Sequence, residues 1–108
     1  MDEFKKPEGL DAKGEAAYEV IMRVLKEDNS KPGSGGAQVF YSPEEWRDRG
    51  EKYGTTSLLV VTHDGGDQAP YFNLDYGCIN MWEHMHEELA KVGVYAEQCT
   101  SWFSAIYV

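Results

Sequence analysis

The chain has 108 residues, 42% of them apolar, and a formal net charge of −9. That is the size of one domain with one modest core. It excludes a membrane-spanning helix, because no apolar run exceeds the four residues of Leu58–Val61. It also argues against direct nucleic-acid binding, where phosphate repulsion would dominate.

The first nine residues are polar and are expected to form a flexible segment ahead of a single domain over 10–108. No apolar stretch follows Met1-Asp2-Glu3-Phe4, so no secretory signal is expected. Asp11 is placed to cap a helix running to about Glu27, with Ala17, Val20, Ile21, Val24 and Leu25 as its buried stripe. Residues 28–37 are rich in Gly and Ser and read as a flexible connector. They lack the GxxxxGK[ST] pattern of a phosphate loop.

Gln38–Tyr41 predicts a short strand. Ser42, Pro43 and Glu45 form the strongest local signal in the chain: N-cap, first helical position and capping box. The helix they start carries Trp46 and Tyr53 and is expected to stop at Gly54. Ser57–Thr62 predicts a strand apolar on both faces, which suits a central position. The glycine-rich segment 63–70 predicts a hairpin connection to a returning strand over Tyr71–Asp75. In that strand Phe72 and Leu74 would alternate with Tyr71, Asn73 and Asp75. Cys78, Trp82, Met85, Leu89 and Val92 step by four and three, the stripe of a helix ending at Gly93. Val94–Cys99 and Trp102–Tyr107 are two final strands.

These elements predict an α+β fold. Its antiparallel-dominated sheet has about five strands, with helices mainly on one face. The core is ferredoxin-like (βαββαβ), with an extra N-terminal helix and C-terminal strand. An edge position for the second strand in that arrangement conflicts with its apolar sequence, so either the first helix covers it or the strand order differs.

Charge is uneven along the chain. Residues 1–53 hold twelve acids and nine bases, whereas residues 54–108 hold seven acids and one base, Lys91. The second half also carries eight of the fourteen aromatics, all three histidines and both cysteines. Cys78 and Cys99 form no CxxC pair, which fits reduced thiols and a cytoplasmic location. His84 and His86 are two residues apart on a helix and project roughly 200° from each other, so they cannot share a metal ion. A metal site would need His63, Asp64 and one helix histidine brought together by the fold. No nucleophile elbow, zincin motif or phosphate loop is present, and neither catalysis nor a cofactor is expected.

The expected function is therefore recognition of a basic protein surface. Candidate contact residues are Asp64, Asp67, Tyr71, Asn73, Asp75, Glu83, Glu87, Tyr95 and Glu97, gathered on the outer side of the sheet or on the last helix. Tyrosines offer contact area at low entropic cost, and carboxylates select for charge. If the partner site normally grips nucleic acid, the protein would act as an inhibitor mimicking phosphate. Small acidic anti-defence proteins of phages and mobile elements work in this way, and the comparison is one of analogy. Two alternatives are a homodimer paired through the exposed sheet face or the apolar last strand, Trp102–Val108, and a metal-dependent enzyme using His63, Asp64 and a helix histidine.

Overall fold

The computed structural model describes residues 6–31 and 38–108. Most of the connector and the first five residues lie outside that range. Helix α1 spans Ala12–Glu27 and is capped by Asp11, whose Oδ1 accepts from the Gly14 amide at 2.8 Å. Its buried side chains include the five of the expected stripe. Gly14 is required there by contact: a Cβ at that position would lie 2.8 Å from the Leu58 carbonyl oxygen.

Strand β1 is Phe40–Tyr41. The capping box then forms as expected, Glu45 N donating to Ser42 Oγ at 3.1 Å and Ser42 N to Glu45 Oε1 at 3.0 Å. Helix α2 covers only Pro43–Asp48. It ends at Gly50, whose φ of 86° lets the chain reverse, and not at Gly54 as expected. Trp46 is consequently buried on the helix, while Tyr53 lies outside it and is exposed.

Strand β2, Leu59–Thr62, is buried throughout. The returning strand expected over Tyr71–Asp75 does not exist. Helix α3 occupies Ala69–Phe72, and a 3₁₀ turn occupies Leu74–Tyr76. The physical reason is local. Pro70 suits the first turn of a helix but has no N–H to give a ladder. Buried Gln68, Ala69, Tyr71 and Phe72 follow a helical spacing, and the Asn73 side chain accepts from the Asp75 amide at 2.9 Å, which starts the turn. Helix α4 spans Ile79–Lys91, β3 Tyr95–Gln98 and β4 Phe103–Tyr107.

The described residues thus form an α+β fold with four helices and a four-stranded antiparallel sheet of order β1-β2-β4-β3. With the fifth strand absent, β4 takes the place beside β2, pairing Leu59 with Ile106 and Thr62 with Phe103. This makes β2 central, as its sequence demands, and resolves the conflict in the expected strand order. It also makes β4 central. The last strand is therefore not a free edge on which the alternative of a homodimer could pair, and Phe103–Ile106 are buried.

One side of the sheet packs Phe40, Leu59, Val61 and Ile106 against α1, α3 and α4. The other packs Tyr41, Val60 and Phe103 around Trp46, whose indole N–H donates to the Tyr53 carbonyl at 2.8 Å. Among the described residues no helix is long and apolar enough to cross a membrane.

Candidate interaction surface

The nine expected contact residues do not share one face. Tyr71 and Asn73 are buried, because the strand that was to expose them is a helix. The Tyr71 hydroxyl donates to Asp28 and lies 3.3 Å from Ser30 Oγ. Burial and the Asp28 carboxylate push its pKa up to about 12. Asp67 accepts from the Lys31 amide at 2.9 Å and so ties the β2–α3 loop to the end of α1. Asp64 is exposed in the same loop.

The remaining five separate onto two sides of the sheet. Ala96 packs with the core that contains α1 and α4. Its neighbours Tyr95 and Glu97 point to the opposite side, because successive strand residues alternate. Asp75, Glu83 and Glu87 lie on the 3₁₀ turn and on α4. The carboxylates of the acidic half therefore fall into at least two groups and not one patch. Glu88 leaves the set altogether. It receives Lys91 Nζ at 2.6 Å and Arg23 at 2.9 Å, and these hydrogen bonds hold its carboxyl below the usual range.

The stretch from Leu74 to Glu87 is the densest of these groups, and it has an apolar component that sequence reading missed. Leu74, Tyr76 and Ile79 are 44%, 49% and 53% exposed. Gly77, in the left-handed region at φ 75°, turns the chain between the 3₁₀ turn and α4. Ile79, Glu83 and Glu87 then recur at i, i+4 and i+8, one helical turn apart. No ion pair involves Asp75, Glu83 or Glu87 among the described residues. The nearby cation, Lys91, is drawn to Glu88, and His84 lies 3.6 Å from Glu27. The signal available in the sequence was Ile79 itself, an aliphatic residue off the apolar stripe of its helix.

The stripe is otherwise close to expectation. Met85 and Leu89 are fully buried and Val92 packs against the core. Cys78, expected on the stripe as a packed thiol, is instead the half-buried N-cap of α4. Cys99 is half-buried, and burial followed by the Glu97 charge pushes its thiol pKa up, so neither an activated nor a reactive thiol is evident there.

The histidines are dispersed. His63 is fully buried, stacked on Phe72 with ring centres 5.8 Å apart, and its Nε2 lies 3.0 Å from Ser104 Oγ. Burial lowers its pKa to about 4. Phe72 meets His86 edge-on, and His86 stacks on Trp82 at 3.8 Å. His86 is also held below its ordinary pKa by burial. Asp64 is exposed while His63 beside it is enclosed. Among the described residues no group of three or more His, Cys, Asp or Glu is arranged to hold a metal. The His63–Ser104 pair has no access from solvent. His63 Nδ1 has no hydrogen-bond partner among the described residues.

The chain matches no family model, curated protein or solved structure with which it was compared. Its own surface is the source of any functional reading.

Proposed function

We propose that this protein is a non-catalytic binding module whose 3₁₀–α4 ridge docks on a basic surface of a partner protein. One observation carries the reading: exposed Leu74, Tyr76 and Ile79 are interspersed with Asp75, Glu83 and Glu87, which have no ion pair among the described residues. Monomeric proteins scatter exposed apolar residues singly, and a run of them bordered by charge is a mark of an interface. Aliphatic and tyrosine side chains would supply the desolvated centre, and the carboxylates would supply charge selection at the rim. Inhibition of a nucleic-acid-binding partner is the most specific form of this reading. It rests on the acidity of the ridge alone, and it requires the partner's phosphate-binding residues to meet Asp75, Glu83 and Glu87.

A photo-crosslinking residue at position 76, compared with one at exposed Asp48 on α2, tests the assignment in extracts of the native host. The expected result is a protein captured at position 76 and not at position 48, with capture declining as salt rises. Equal capture from both positions, or capture unchanged in molar salt, would count against the ridge.

A further inference from the structure

Strand β3 forms one edge of the sheet, and its outward hydrogen-bonding groups can be assigned. Leu58 N donates to the Ile106 carbonyl at 2.7 Å and His63 N to the Trp102 carbonyl at 2.8 Å, so Trp102, Ser104 and Ile106 face β2. Cys99 N donates to the Phe103 carbonyl at 3.1 Å, so Phe103, Ala105 and Tyr107 face β3. Antiparallel pairs alternate between bonded and non-bonded positions. Through the register Tyr95↔Tyr107 and Glu97↔Ala105, residues 95 and 97 spend their backbone groups on β4. The N–H and C=O of Ala96 and Gln98 therefore point away from the sheet. Among the described residues no hydrogen bond reaches them.

The side chains along this edge set what could lie against it. Tyr95 is 52% exposed with its ring 5.8 Å from that of Tyr107, and Glu97 is exposed on the same side. Tyr53, Gly54, Glu97, Gln98, Cys99 and Tyr107 line a shallow notch there. Edge strands are commonly protected by short length, charged side chains, proline or a bulge; β3 has no proline and no lysine, and its one charged side chain is Glu97, which selects for a cationic neighbour.

We infer that the β3 edge accepts an extended segment of another protein as a fifth strand, with a lysine or arginine of that segment opposite Glu97. A second copy of this chain is a poor occupant. Symmetric antiparallel pairing centred on Glu97 sets two carboxylates directly opposite each other. Centring on Ala96 moves them only to the diagonal, about 7–8 Å apart. Each copy also brings a net charge of −9. A cationic strand reverses the sign of every one of these terms, gains the outward bonds of Ala96 and Gln98, and can stack on Tyr95. This surface is separate from the α4 ridge, and each can fail alone.

The test uses the ¹⁵N-labelled protein and two synthetic peptides, acetyl-Thr-Val-Lys-Val-Thr-amide and its Glu-centred counterpart. In the free protein the Ala96 and Gln98 amides should exchange fast with solvent while that of Glu97 is protected. The Lys-centred peptide should shift and protect the Ala96 and Gln98 amides, binding at least tenfold tighter than the Glu-centred one. Glu97→Lys should invert that preference, and Gln98→Pro, which removes one outward N–H, should weaken both peptides. If the proline variant does not fold, the charge inversion decides alone. Three results would overturn the inference: no shift at either amide with millimolar peptide, shifts confined to residues 74–87, or protection of Ala96 and Gln98 that grows with protein concentration and marks self-pairing.

Discussion

Lowering the pH from 6.5 towards 4 should destabilise this protein through His63. The ring is fully buried between Phe72 and Ser104, and burial takes its pKa from 6.5 to about 4. In the unfolded chain the same imidazole protonates near its ordinary value, so between those limits the unfolded state binds the additional proton. Stability is therefore undiminished above pH 6.5, falls as pH drops towards 4, and levels off below that for this group. Each pH unit of the window is worth about 1.4 kcal/mol, so the whole effect is roughly 3 kcal/mol, with about 2 kcal/mol lost by pH 5. His86, also lowered by burial, adds to the same trend. Glu88 acts in a different window: its carboxyl is held below 4.5, so its contribution is lost only as pH falls beneath that value. Urea unfolding followed by tryptophan fluorescence at pH 7, 6 and 5 measures the slope, and His63→Gln removes the titrating ring. The variant should be less stable at pH 7 and nearly flat from pH 6.5 to 5 apart from the His86 share. A variant with the wild-type slope, or a His63 ring resonance titrating near 6.5, would refute the reasoning.

Other consequences follow from the packing. Trp46→Ala should cost about 3–5 kcal/mol, because the indole is the centre of the second core and donates to the Tyr53 carbonyl; chemical denaturation measures it. Gly14→Ala, a change that ordinarily strengthens a helix, should instead lower the melting temperature, since its methyl would sit 2.8 Å from the Leu58 carbonyl oxygen. Ser42→Ala should destabilise by about 1 kcal/mol through loss of the N-cap, read from the urea midpoint.

Local chemistry was legible wherever it stood alone. Asp11 and the Ser42–Glu45 box are visible as residue types at fixed spacing, and both caps form. The stripe of α1, Ala17 to Leu25, repeats at helical spacing and leaves one face to bury. The segment 71–75 was misread because an alternating pattern of five residues also fits one helical turn, and Pro70 is the residue that separates the two. With it went the position of Tyr71 and Asn73, and with the fifth strand went the expected edge at β4. The division of the acidic residues between two sides of the sheet depends on register, which no charge count contains. The ridge was half visible: its carboxylates were in view, while exposure of Leu74, Tyr76 and Ile79 needed the Gly77 turn.

The claim that the ridge is a charge-selective docking face is tested most directly by the affinity of the partner captured at position 76 for wild-type protein and for Glu83→Lys/Glu87→Lys. Both side chains are exposed without an ion pair among the described residues, so the double variant should keep the wild-type melting temperature. Its affinity should fall at least tenfold at low salt, with the difference narrowing as salt rises. Equal affinities at low salt, with both proteins folded, would contradict the account.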